Sequence, residues 1–192
     1  MARYPQVRVD MQVTNRVVNL VEDGIDVALR VRPTLVDSGS LVVKRLGSSQ
    51  TLLVGTPAQL KRQGQPALAA DLDRLDTVSM SATDGRVTWP LLGPDGQRHE
   101  WTHPPRLVAD DLLTLKLAML GGVGVGLLPD YMCQPELLTG QLVLVLPGWN
   151  PPPGLMHAVF TSRRGLAPAV RCFLDFLGER LDNASAASVS GC

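Results

Sequence analysis

The stretch Arg106-Leu107-Val108-Ala109-Asp110-Asp111-Leu112-Leu113-Thr114-Leu115-Lys116-Leu117-Ala118-Met119-Leu120-Gly121-Gly122-Val123-Gly124-Val125-Gly126-Leu127-Leu128-Pro129-Asp130 decides how the chain is read. Leu107-Val108 is a short apolar strand. Asp110 or Asp111 supplies an N-cap, because a carboxylate accepts the orphan N–H bonds of a first helical turn. Leu112, Leu115, Ala118 and Met119 recur at helical spacing, with Lys116 on another face. Gly121-Gly122 ends the helix, since glycine accepts the left-handed conformation of a C-terminal cap. Val125 to Leu128 is a buried strand stopped by Pro129. Strand, capped helix, glycine turn and strand make an α/β segment, and α/β proteins place ligands where strands give way to helices.

Outward from this stretch the same alternation continues. Val7 to Val13 alternates apolar and polar residues, a half-buried strand. Thr14 or Asn15 caps a helix through Glu22, ended by Asp23-Gly24. Ile25 to Val31 is the next strand, which makes a βαβ unit with a parallel pair. Leu41 to Leu46 and Thr51 to Gly55 are strands on either side of a polar break at residues 47–49. Pro57 to Gln63 is a short helix with proline at its start and Gly64 after its end. Leu68 to Leu72 is a helical turn, and Thr77 to Ser81 a strand. Val87 to Leu92 and Gln97 to His103 form a hairpin around Gly93-Pro94-Asp95-Gly96. Leu142 to Leu146 and Leu155 to Phe160 are strands joined by a proline-rich connector. Ala167 to Leu181 is an amphipathic helix, followed by a Ser/Ala-rich tail at 183–192 expected to be disordered.

Composition narrows the function. The 192 residues are 45% hydrophobic, enough to build a core. Lys plus Arg and Asp plus Glu both number 18, so the basic excess of a self-sufficient nucleic-acid binder is missing. The three cysteines are odd in number and widely spaced, which argues for reduced thiols rather than a disulfide framework. There is no signal-peptide pattern and no apolar run near the ~20 residues of a membrane helix. The expectation is a soluble cytoplasmic protein that does not contact a membrane.

Three motifs invite a sharper chemistry and do not carry it. His99-Glu100-Trp101-Thr102-His103 matches H-E-x-x-H, which holds zinc only on a helix. Here it follows a Pro-Asp-Gly turn, and on a strand its two histidines stand ~13 Å apart. Gly122-x-Gly124-x-Gly126 resembles a nucleotide loop, but such loops open a helix, whereas this one closes it. Ser, His and Asp are present without a G-x-S-x-G elbow. No catalytic residue, metal site or cofactor is assigned, and an enzyme is not expected.

Read together, Tyr4-Pro5-x-Val7-Arg8-Val9, Val21-Glu22-Asp23-Gly24-Ile25-Asp26-Val27-Ala28-Leu29-Arg30, Leu52-Leu53-Val54-Gly55-Thr56-Pro57-Ala58, Leu107-Val108-x-Asp110-Asp111, Gly121-x-x-Gly124-Val125-x-Leu127-Leu128-Pro129 and Arg163-Arg164-x-Leu166-x-Pro168 resemble the effector-binding domain of LysR-type transcriptional regulators. The resemblance spans residues 4 to 178. It implies two Rossmann-like α/β lobes of the type II periplasmic-binding-protein kind, here without the first strand of the outer lobe. Residues 1–55 and 156–182 would form the outer lobe and 56–155 an inserted middle lobe. It also implies a small-molecule effector in an interlobe cleft; Thr14, Asn15, Arg30, Arg32, Ser79, Ser81, Thr83, Asp110 and Asp111, at strand ends and strand-to-helix turns, are the candidate contacts. The arginines suit a carboxylate effector. A homodimer is implied, in which the helix after the first βαβ strand meets the middle-lobe helix of a second subunit, through Val17, Val18, Val21, Leu112, Leu115 and Met119. The family's winged helix-turn-helix is not in the chain, so DNA contact would require an N-terminal domain. The alternatives are a free-standing solute-binding protein of the same fold and a truncated, nonfunctional remnant.

Overall fold

In the computed structural model, residues 4–14, 18–32, 41–161 and 167–189 are described. The strands and helices follow in the order β1 (Ala28–Arg32), β2 (Val42–Ser49), β3 (Thr51–Gly55), α1 (Pro57–Gln63), a 3-10 segment (Ala69–Arg74), β4 (Thr77–Ser79), β5 (Val87–Leu92), β6 (Arg98–His103), β7 (Leu107–Val108), α2 (Leu112–Leu120), β8 (Val125–Pro129), α3 (Asp130–Thr139), β9 (Val143–Leu144), β10 (Gly154–Phe160) and α4 (Pro168–Val189). The chain divides into two units, Met1–Ser48 with Gly154–Cys192 and Ser49–Pro153. The division falls before β3, not after residue 55, because β3 is hydrogen-bonded to β8 and β9 of the middle unit.

The middle unit is built on a five-stranded sheet in the order β7-β4-β8-β3-β9. Strand β4 runs parallel to both β7 and β8, while β3 runs antiparallel to β8 and β9. Two apolar clusters are built from this sheet. Val54, Val78 and Leu128 pack with Leu115 and Met119 of α2, Cys133 of α3, and Leu142. Leu53 and Val125 pack with Leu60, Leu72, Leu75 and the hairpin tryptophans Trp89 and Trp101. Helix α1 starts as its sequence requires: the Thr56 hydroxyl accepts the Gln59 N–H at 3.3 Å, and Pro57 fills the first position. Helix α2 is tied to α3 by Lys116, whose Nζ reaches Glu136 Oε1 at 2.7 Å and the Met132 carbonyl at 2.7 Å.

The end unit carries a three-stranded sheet in the order β1-β10-β2. Leu46, Ala158 and Phe160 pack against Leu174 of α4, and the Lys44 ammonium pairs with Asp175 of the same helix at 2.8 Å.

Several expectations are corrected. Residues 7–13 form no strand: Val9, Met11 and Val13 are 53%, 79% and 83% exposed, so the alternation has no core face to bury. The expected helix from Thr14 or Asn15 to Glu22 is absent from its described part. Residues 20–24 are turns, pinned by the Asn19 N–H on Asp23 Oδ2 at 2.9 Å and by the Ile25 N–H on the Leu20 carbonyl at 2.8 Å. The expected parallel βαβ pair gives way to antiparallel pairing of β1 with β10. Strand β2 runs unbroken through residues 47–49, with Leu46 and Ser49 both buried. Strand β9 is only Val143–Leu144, paired with Gly55 and Val54 of β3, and the Val145 N–H adds one bond to the Leu53 carbonyl at 3.0 Å. Helix α4 continues to Val189, into the segment expected to be a tail.

Candidate effector pocket of the middle unit

The pocket is assembled by a turn. At Thr83-Asp84-Gly85-Arg86, the Thr83 N–H donates to the Arg86 carbonyl at 2.8 Å and the Arg86 N–H to the Thr83 carbonyl at 3.0 Å. The two central residues have positive φ, Asp84 at 51° and Gly85 at 73°. Asp-Gly is the pair that tight primed turns demand, because aspartate tolerates and glycine prefers this backbone region. The turn lies just beyond the carboxyl end of β4, where ligands bind in open α/β sheets.

Ser81, Ala82, Thr83, Arg86, Val87 and Thr88 line a cavity of about 360 Å³ there. The lining residues thus carry three hydroxyls and one guanidinium beside two small apolar side chains. The wall is braced from β6: Arg86 donates from Nη2 to the Thr102 carbonyl at 3.0 Å, and the Thr88 and Thr102 hydroxyls are 2.8 Å apart. A guanidinium has five N–H donors in a fixed fork, so one bond to Thr102 leaves others for an acid group.

The candidate residues separate accordingly. Ser81 and Thr83 line this cavity. Ser79 is buried inside β4, where its carbonyl accepts the Ala109 N–H at 3.1 Å. Asp111 is the N-cap of α2, accepting both the N–H and the hydroxyl of Thr114 at 2.7 Å. These two bonds, hydroxyl first, lower its carboxyl below the usual range. Asp110 is exposed just before the cap. In the end unit, Arg30 donates to the Val18 carbonyl at 3.3 Å, Arg32 and Thr14 are exposed, and Asn15 lies outside the described residues. The residues missed in sequence are Arg86 and Thr88. The Asp-Gly turn was the available signal, because it sets Arg86 directly opposite Thr83.

The residues expected at a dimer surface differ in burial. Leu115 and Met119 are 1% and 0% exposed and belong to the core, so they are not available to a second subunit. Leu112 packs partly against the same core. The outward apolar positions of α2 are Leu113 and Leu117, 56% and 61% exposed and four residues apart. Val21 is exposed, Val18 packs beside Leu20, Ala28 and Val159, and Val17 lies outside the described residues.

A second cavity, about 520 Å³, is lined by Leu60, Lys61 and Gln65 on α1's side and by Val143 and Leu144 of β9. H-E-x-x-H lies on β6, where His99 faces Trp149 and His103 stacks on Trp101. Among the described residues no group of three His, Cys, Asp or Glu side chains could hold a metal ion, and no helix is long and apolar enough to cross a membrane.

Two α/β units, the middle one inserted between the chain's two end segments, define the class: a regulatory domain of the periplasmic-binding-protein-like fold. The LysR substrate binding domain matches residues 1–182, and the chain belongs to that family. An HTH-type transcriptional regulator of Xanthomonas campestris pv. campestris is 35% identical over 185 residues, covering 94% of this chain and 53% of the regulator. PtxR of Pseudomonas aeruginosa, also an HTH-type transcriptional regulator, is 32% identical over 181 residues, covering 93% of this chain and 56% of PtxR. The regulatory domain of CrgA from Neisseria meningitidis superposes with a TM-score of 0.78 at 25% identity, covering 94% of this chain and 87% of that domain. The chain spans about half the length of the curated relatives it matches.

Proposed function

We propose that this chain senses a small carboxylate effector for a LysR-type regulator, and that the pocket beyond β4 receives the acid group. The observation that carries this reading is the cavity wall of Ser81, Thr83, Arg86 and Thr88. Arg86 would take the carboxylate through two parallel N–H bonds, and the hydroxyls would complete its shell. Val87 and Ala82 offer apolar contact to the rest of a compact ligand. DNA contact belongs, on this reading, to a separate N-terminal domain of the full-length regulator. Dimerisation uses the outward face of α2, with Leu113 and Leu117 against a second copy.

A thermal-shift screen tests the pocket. Small carboxylates are compared with amines and neutral sugars of similar size, on the wild-type chain and on Arg86→Ala. At least one carboxylate is expected to raise the wild-type midpoint, and the gain is expected to vanish in Arg86→Ala. A carboxylate that stabilises both proteins equally would remove Arg86 from the site. Stabilisation only by amines or sugars would remove the carboxylate.

A further inference from the structure

His103 ends β6 in an unusual setting for an ionisable group. It is 6% exposed, and among the described residues neither ring nitrogen has a hydrogen-bond partner. Its ring stacks on Trp101 at 3.9 Å between centroids and meets Trp89 edge-on at 4.6 Å. Two charged groups bear on it. Asp73 of the 3-10 segment is engaged by the Trp101 indole N–H at 2.8 Å, and Arg86 adds a like charge to any imidazolium.

We infer that the β5–β6 hairpin is an acid-sensitive latch on the pocket, with a protonated His103 releasing the strand ends that hold the pocket wall. The effector reading supplies the latch's functional meaning. The geometry connects the two directly. His103 pairs with Val87 in the hairpin register, and Thr102 pairs with Thr88. Thr102 also holds the Arg86 guanidinium through its carbonyl. Arg86, Val87 and Thr88, half of the pocket lining, are thus fastened to residues 102 and 103.

An imidazolium carries two N–H donors and needs acceptors for both. Indole faces attract a cation, but loss of water outweighs that attraction here. Burial, joined by the nearby Arg86 charge, pushes the His103 value down from 6.5 to about 4, against smaller upward pulls from the Trp101 backbone and the Asp73 charge. In an opened hairpin the ring is hydrated and returns to its ordinary value. The sign follows: between about pH 6.5 and about pH 4 only the open form takes up the proton, so the closed hairpin loses stability as pH falls through that window. From about pH 7.5 to about pH 5.5 the opening constant rises about tenfold, and below about pH 4 the effect levels off.

Amide hydrogen exchange on the 192-residue chain, without added ligand and corrected for intrinsic rates, reads the latch. Amides of residues 86–88 and 102–103 are expected to lose about tenfold protection between about pH 7.5 and 5.5. His103→Phe, which suits the aromatic cluster, is expected to abolish that loss, and His99→Gln to preserve it. His103→Gln gives a second imidazole-free variant if the phenylalanine does not fold; its protection is expected to be equally flat. Unchanged wild-type protection, or the same acid loss in a folded variant lacking the imidazole, overturns the latch. Acid loosening that depends on His103, in a chain that binds no carboxylate, upholds the latch and defeats the effector reading alone.

Discussion

Replacing Gly124 by alanine tests why the glycines after α2 are there. An ideal Cβ at Gly124 meets the Thr77 backbone, at 2.7 Å from its carbonyl carbon, 2.9 Å from Cα and 3.0 Å from N. Backbone inside a sheet cannot step aside as a side chain can. The cost therefore falls at the top of the overpacking range, about 3 kcal/mol. At Gly126 the obstacles are the Met119 Sδ at 2.8 Å and Val78 Cγ2 at 2.9 Å. The flexible thioether can rotate, which brings the cost to about 1 kcal/mol. At Gly122 the space is open, but φ is +72°, so alanine costs about 1–2 kcal/mol in backbone strain alone. Gly121, with φ −74°, is expected to change least.

Urea or thermal unfolding of the four variants, followed by tryptophan fluorescence, ranks them. All three tryptophans lie in the middle unit, so the signal reports the unit being perturbed. About 3 kcal/mol corresponds to roughly 6–12 °C for a chain of this size. The expected order is Gly124 worst, then Gly122 and Gly126, then Gly121. A Gly124→Ala protein no less stable than Gly122→Ala would refute close strand packing as the reason for that glycine. A nucleotide cradle predicts a different pattern, in which stability is kept and phosphate binding is lost.

Other substitutions separate surface from core. Leu113→Glu with Leu117→Glu is expected to leave a folded chain and shift it toward monomer by light scattering, whereas Leu115→Glu is expected to unfold the middle unit. Retention of the wild-type oligomeric state by the double variant would exclude the outward face of α2. Cys133 is buried, and loss of water pushes its thiol up to about 11. Iodoacetamide at about pH 8 is therefore expected to label exposed Cys172 in the native protein and Cys133 only after unfolding, as read by peptide mass spectrometry. Early labelling of Cys133 would mean that the packing of α3 on β8 opens readily in the native protein.

The middle unit was far more legible in sequence than the end unit. Asp111, Gly121-Gly122 and Pro129 punctuate α2 and β8 so strongly that local signals and tertiary packing agree. The Pro-Asp-Gly turn did the same for the hairpin. Residues 7–14 and 18–24 misled because alternation and caps state what a segment can do, and only a packed neighbour makes it do so. Helical spacing likewise gave the apolar face of α2 but not which partner it meets. Leu115 and Met119 turn to the core of their own unit, leaving Leu113 and Leu117 outside. The pocket was half legible. Ser81 and Thr83 followed from their place after a strand. Arg86 depended on a turn whose consequence, a side chain set opposite Thr83, appears only once both positive-φ residues are built.

The central claim is that a carboxylate sits against Arg86, and a crystal structure of the chain with the best carboxylate of the thermal-shift screen tests it most directly. The acid group is expected within hydrogen-bond distance of the Arg86 guanidinium and of at least one of the Ser81, Thr83 and Thr88 hydroxyls. A ligand seated instead in the cavity between α1 and β9, with its acid group on Lys61, would contradict it.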